Sequence, residues 1–292
     1  MANGSPVEYI LKVGNQLGEG PIWDARNGAL LWVDIEGYCF HRFFPATAKL
    51  ETIDTGISIC ALGLVEDSAK LLMATAHGIA FWNWLSRSVS PVISDFEPER
   101  HESRLNDGAV DRQGNFWVGS LGPDSQSALY RLGPGLSLRR MDSGFGVSNG
   151  IAWSPDNRTM YFTDSRCGVI FAYDFDTSSN SIENRRILVE VPEGKGVPDG
   201  LTVDSEGFLW SARWGGARIA SYDPTGRLAR EIMLPVTYPT SCTFGGKNLD
   251  ELYITSARSP LSASECAKEP LAGGLLRIDA RVRGLDEPRF RE

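Results

Sequence analysis

Residues 144–156 read GFGVSNGIAWSPD, and Gly146-Val147-Ser148-Asn149-Gly150 matches the G-x-S-x-G pattern of a nucleophile elbow. Were that pattern real, Ser148 would attack an acyl carbon and a histidine would take its proton. A second set of residues suggests different chemistry. Glu19, Asn106, Asn149 and Asp199 each stand four positions before the apolar residue that ends a short β-forming run: Trp23, Val110, Trp153 and Val203. Carboxylates and carboxamides without His or Cys suit a hard divalent cation held through oxygen. Each residue also has a plainer reading. Asn149 and Asp199 precede glycine, a common turn signal, and Glu19 lies between Gly18 and Gly20, where it could cap a turn.

The elements around these residues decide between the readings. After Asn149 the chain runs GIAW, SPDN, TMYFTD, SRCG, VIFAYDF, DTSSNS and RRILVEV. Apolar or alternating β-formers are separated by Gly, Pro, Asp, Asn and Ser turns, so the segment predicts four consecutive antiparallel strands. A nucleophile elbow needs a strand-to-helix turn, and none follows Ser148. The three histidines, His41, His77 and His101, stand in no setting that marks a triad base. Ser148 is therefore expected to be a loop serine beside a functional residue.

The unit recurs from Glu19, Ala61, Asn106, Asp199 and Thr240, giving six copies of about 40–50 residues, a period that signals a propeller or solenoid. Four strands per copy favour an all-β fold, a six-bladed β-propeller forming one domain over residues 1–292. GGLLRIDARV should belong to the last blade, and VEYILKV near the N-terminus could add a strand to it and close the ring. The aligned positions are Glu19, Ala61 (or Cys60, if that copy slips by one), Asn106, Asn149, Asp199 and Thr240. First strands of propeller blades line the central channel, so Glu19, Asn149 and Asp199 should converge there, with Asn106 as a fourth polar group. Carboxylates and amides gathered at one partly buried point are costly unless a cation neutralises them. Trp23, Trp32, Trp117, Trp153 and Trp210 are expected in blade cores, whereas Trp214 and Phe145 could wall a pocket.

Composition narrows the function class. With 29 basic and 37 acidic residues, net charge −8 and no basic run, nucleic-acid binding is not expected. No stretch approaches the ~18 apolar residues of a membrane span, and no charged segment followed by an apolar one marks a signal peptide. The sequons at Asn3 and Asn157 then read as chance matches. Cys39, Cys60, Cys167, Cys242 and Cys266 show no C-x-x-C spacing and read as reduced thiols of a cytoplasmic protein.

The chain resembles the SMP-30/gluconolactonase/regucalcin family at LGEGPIWD (17–24), RLNDGAVDRQGNFWVGS (104–120), SNGIAWSPDNRTMYFTDS (148–165), PDGLTVDSEGFLWSARWGG (198–216), PTSCTFGG (239–246) and PLAGGLLRID (270–279). The last two look most like its sugar-lactonase branch. The resemblance implies a six-bladed propeller with one divalent metal in the channel, Ca²⁺ preferred and Zn²⁺, Mg²⁺, Mn²⁺ or Fe²⁺ admissible. It implies Glu19, Asn149 and Asp199 as metal ligands, and Arg104 and Asn106 as contacts to a sugar-lactone substrate. Asp199 would be the general base in lactone ring opening, with the metal polarising the carbonyl. Arg104 would pair with the developing alkoxide or a sugar oxygen, and a monomer or weak dimer is expected. Some relatives carry a glutamate shortly after the third-blade strand that reaches the substrate, where this chain reads SLGPDSQS with Gly122 and Pro123, which leaves the sugar preference open. Two alternatives stand beside this reading: a metal-dependent phosphotriesterase- or aryl-esterase-like hydrolase on the same frame, and a non-enzymatic calcium-binding propeller that docks a partner.

Overall fold

A computed structural model describes residues 7–67, 69–93, 96–97, 102–123 and 126–292. The Asn3 sequon and His101 lie outside them. Among the described residues the strands form six four-stranded antiparallel sheets, each a blade. The innermost strands are Gly18–Asp24, Ile59–Leu64, Arg104–Val110, Ser148–Trp153, Val197–Val203 and Pro239–Gly245. Each touches the next in a closed cycle, and the sixth touches the first. Five blades are built from consecutive strands. The sixth takes Glu8–Leu11 as its outermost strand, paired with Leu275–Asp279, so the N-terminal segment closes the ring as its sequence suggested. The only α-helix among the described residues is Ala263–Lys268, and no helix is long and apolar enough to cross a membrane.

A repeated local device builds the blades. In VDRQGNFW and VDSEGFLW an aspartate leaves the inner strand and turns the chain into the second. Asp111 accepts the amides of Gln113 and Asn115 and the indole N–H of Trp117, all at 2.7–2.9 Å. Asp204 does the same for Glu206, Phe208 and Trp210 at 2.8–2.9 Å. Gly114 and Gly207 take the positive φ that these turns require. The tryptophan rings then fill the space between blades: Trp23, Trp32, Trp117, Trp153 and Trp210 are all buried, and Trp117 meets Trp153 edge-on at 6.2 Å. Each buried apolar side chain of this size contributes roughly 1.5–3 kcal/mol.

The inner strands share a second feature. All six carry a register shift near their N-terminal ends, for example between Glu19 and Ile22, Leu105 and Gly108, Asn149 and Ile151, and Pro198 and Leu201. A bulge releases a strand from strict alternation and re-aims the side chains beside it. The shifts fall at Glu19, Asn106, Asn149 and Asp199. Asn149-Gly150 and Asp199-Gly200 are thus extended strand, not the turns that Asx-Gly pairs often form. Gly150 is needed for close approach: a Cβ there would lie 2.7 Å from the Asp199 carbonyl oxygen on the neighbouring inner strand.

The far end of the hub is closed by a segment the sequence reading left unassigned. After the sixth blade the chain crosses beneath the ring. Ser205 donates to the Arg283 carbonyl, Phe290 pairs with Leu64 and Glu66 through backbone bonds of 2.7 and 2.9 Å, and Arg291 donates to Gly114. Phe290 is fully buried between the second and third blades, and Arg289 pairs with Asp24 at 2.5 Å.

Candidate functional site

The bulged strand ends open into a cavity of about 390 Å³ lined by Glu19, Arg104, Asn106, Asn149 and Asp199, together with Ser165, Arg166 and Trp214 and an apolar wall that includes Leu17, Ile35 and Val147. All five residues singled out from the sequence therefore meet in one place. Glu19, Asn106, Asn149 and Asp199 are each less than a tenth exposed. The other aligned positions differ. Thr240 is buried and donates to the Gly18 carbonyl at 2.5 Å, tying the sixth blade to the first. Ala61 packs into the apolar core, and its neighbour Cys60 turns its sulfur to Arg104 at 3.7 Å, so the second copy is displaced by one residue as its weak alignment allowed.

The side chains are held from below and behind. The Asn149 amide nitrogen donates to Asp199 Oδ1 and, at 3.1 Å, to Ser165 Oγ. Asn149 Oδ1 has no partner although it is buried. Glu19 Oε2 accepts the Gly20 amide at 3.1 Å. Asn106 donates to the Ser148 carbonyl at 2.8 Å and accepts from Arg104 Nη1 at 2.7 Å, and the same Nη1 reaches the Leu105 carbonyl at 3.0 Å. Asn106 thus orients the Arg104 guanidinium, whose remaining N–H groups have no protein partner among the described residues. The loop leading into the fourth inner strand is braced by Asp164, which accepts from Gly146 and Val147 at 2.9 and 3.1 Å, as Asp34 does for Gln16 and Leu17 in the first blade.

Electrostatics at the hub are unfavourable without a cation. Burial, then the Asp199 and Asp107 charges, hold the Glu19 carboxyl well above the ordinary range. Asp199 is pushed up by burial and then by Asp107. Asp107 itself is raised to about 6 by burial, although the Gly108 amide pulls the other way. The two carboxylates of Glu19 and Asp199 and the orphaned buried carbonyl oxygen of Asn149 form an oxygen set that fits a hard divalent cation.

Several residues here escaped the sequence reading. Asp107 follows Asn106 and acts electrostatically on Glu19 and Asp199, although it lines the cavity at the far end of the channel; an adjacent carboxylate in LNDG was the available signal. Ser165, Arg166 and the bracing aspartates Asp34 and Asp164 lie at or beyond the end of second strands, away from the aligned position. Two expectations are corrected, the first that Ser148 is a loop residue: it begins the fourth inner strand. The second concerns Phe145, which does not wall the cavity: it is buried in the blade core, 4.6 Å from Phe162. At the departure noted in the third blade, neither Gly122 nor Pro123 lines the cavity, and a side chain at Gly122 would meet Ser103 Oγ at 2.7 Å. Trp214 does line it. Ser148 is fully buried and its hydroxyl faces only the Ala128 carbonyl at 3.5 Å, so the G-x-S-x-G match is coincidental. His41 is likewise committed, between Asn15 at 2.7 Å and Thr52 at 2.9 Å, with burial lowering its pKa to about 4. The five cysteines are all free.

The profile described as the SMP-30/Gluconolactonase/LRE-like region matches residues 17–258. Regucalcin of Danio rerio is 34% identical over 93% of this chain and 93% of its own. A luciferin-regenerating enzyme of known structure is 32% identical, with a TM-score of 0.92 over 99% of this chain and 100% of its own. A gluconolactonase from Xanthomonas campestris, at 21% identity, shares the fold with a TM-score of 0.78 over 94% of this chain and 89% of its own. Because the SMP-30/Gluconolactonase/LRE-like match spans all six inner strands, the chain belongs to the SMP-30/gluconolactonase/LRE-like family.

Proposed function

We propose that this protein hydrolyses a sugar lactone of the pentono- or hexono- type to its aldonic acid, using one divalent cation held by Glu19, Asn149 and Asp199. The observation that carries the reading is the buried, unpartnered Oδ1 of Asn149 beside two buried carboxylates whose mutual repulsion Arg104 offsets only in part. When bound, the cation supplies Lewis-acid polarisation of the lactone carbonyl, an effect worth several kcal/mol in such sites. Asp199 takes the proton of the attacking water, a contribution of typically ~10²–10⁴-fold for a positioned base. Its Oδ1 is fixed by the Asn149 amide, which leaves Oδ2 for the water. Arg104 is oriented by Asn106 and the Leu105 carbonyl, and its open N–H groups meet the ring oxygen as it becomes an alkoxide. Asn106 spends its amide on Arg104 and Ser148, so it acts on the substrate chiefly by positioning Arg104.

The test is a pH-stat screen of pentono- and hexonolactones against Ca²⁺, Zn²⁺, Mg²⁺, Mn²⁺ and Fe²⁺, with chelated protein and Asp199→Ala alongside. Turnover that depends on the cation and disappears in the folded variant is expected; full turnover by chelated protein refutes it. The apolar wall of Leu17, Ile35, Val147 and Trp214 favours one second reading, an aryl-ester or phosphotriester substrate using the same cation and Asp199. Arg104 in the cavity weighs against it. The same screen with aryl esters and organophosphates decides between the two.

A further inference from the structure

Arg166 is a charge the lactonase reading does not use. It lines the same cavity, yet makes no ion pair, hydrogen bond or ring contact among the described residues. Its position is nonetheless built. The turn that carries it is pinned on both sides: Asp164 accepts the Gly146, Val147 and Cys167 amides, and the Ser165 amide donates to the Val147 carbonyl at 3.0 Å. Ser165 Oγ in turn accepts from Asn149, which couples the turn to the proposed ligand set. The Arg166 stem lies flat on Gly146, where an added Cβ would come within 2.4–3.0 Å of the arginine's Cβ, Cγ and Cδ. Glycine at 146 is therefore what lets the stem settle, and the exposed side chain lines the cavity.

A count of charges gives this arginine a meaning. Four charged side chains line the cavity: Glu19 and Asp199 belong to the proposed ligand set, and Arg104 is held by Asn106 and the Leu105 carbonyl. The fourth, Arg166, is exposed and makes no ion pair among the described residues, so its guanidinium is open to a ligand that enters the cavity. A planar guanidinium recognises carboxylate and phosphate through paired N–H donors.

Resting on the lactonase reading of the same site, we propose that Arg166 is a specificity-determining residue that binds an anionic substituent on the substrate, a carboxylate or phosphate at the end of the lactone remote from its carbonyl. The hydroxyl-only sugar lactone is then the poorer substrate. The test compares a neutral hexonolactone with its C6-carboxylate and C6-phosphate counterparts, on the cation-loaded wild type and on Arg166→Ala and Arg166→Lys. Wild type should favour at least one anionic lactone. Arg166→Ala should lose about ten- to a hundredfold in kcat/KM on it, mainly through KM, and less than twofold on the neutral lactone. Arg166→Lys should recover part of the loss, and the arm with the larger drop identifies carboxylate or phosphate. Equal losses on charged and neutral lactones, or no loss on either, overturn the proposal. A binding arm needs no turnover: quenching of Trp214 by the ring-opened dicarboxylate and by the neutral-ended aldonate is titrated on all three proteins. If no lactone is hydrolysed, the lactonase reading fails, and this arm still decides Arg166. Tenfold weaker dicarboxylate binding by Arg166→Ala, with aldonate binding unchanged, supports the role; unchanged dicarboxylate binding refutes it.

Discussion

Asp199→Asn tests the central physical claim through stability alone. Asp199 is 4% exposed and feels the charge of two further carboxylates, Glu19 and Asp107. Asparagine keeps the shape and still offers an oxygen to the Asn149 amide, but removes one buried charge. Relief of like-charge crowding at an effective dielectric of about 20 should stabilise the metal-free protein by on the order of 1–2 kcal/mol, the usual scale of strain stored at functional sites. In a chain of this size that raises the melting temperature by roughly 2–4 °C. The pH dependence follows from the direction of the shift. Asp199 has a folded pKa above its unfolded one, so the unfolded chain releases its proton first, and wild type loses stability as pH rises through that window. The advantage of the variant should therefore be small near pH 4, where both forms are neutral, and larger at pH 7.5. Cation should reverse the order. At about a hundred times its dissociation constant it stabilises wild type by about 2.7 kcal/mol, and Asp199→Asn should lose most of that gain. Scanning calorimetry of both proteins, in excess Ca²⁺ and in chelator, reads all of these quantities. If the variant melts below wild type in chelator, or if cation raises its melting temperature by the same amount, the reasoning is wrong.

Other consequences are open to simple measurement. Cation binding should release protons from Glu19 and Asp199, so calorimetric binding enthalpies should depend on the ionisation heat of the buffer, and affinity should fall as pH drops; buffer-independent enthalpies would contradict the assigned ligands. Phe290→Ala should cost about 3–5 kcal/mol in denaturant unfolding, because the C-terminal segment locks the second and third blades beneath the hub; a cost below ~0.5 kcal/mol would show the segment to be decorative. Glu287, beside Arg112 at the far end of the channel, is pushed up to about 7 by burial. Wild type should therefore lose stability relative to Glu287→Gln as pH rises from the ordinary carboxylate range to about 7, and the difference should level off above; a flat difference across that range would contradict the burial.

Much of the architecture is local in origin, which is why it could be read. The turns at Asp111 and Asp204 are set by side chains within six residues of the strands they join, and the same pattern recurring along the chain announces equivalent blades. Glu19, Asn106, Asn149 and Asp199 were legible because repetition puts equivalent residues at equivalent depth about one axis. Phe145 was misplaced because a bulky aromatic beside a channel strand can face either the cavity or its own blade, and only packing against Phe162 selects the blade.

Sequence by itself determined the blade count and the polar set at the hub, since each follows from periodicity and residue type, whereas the ring closure by residues 8–11 was only suggested by VEYILKV and was decided by the structure. Only the tertiary structure decided that Asp107 acts electrostatically on Glu19 and Asp199, that residues 283–292 seal the far end of the hub, and that Arg166 stands unpaired over the cavity. Those contacts join segments far apart in the chain, and their free energy comes from burial and unbalanced charge, which exist only after the blades have closed.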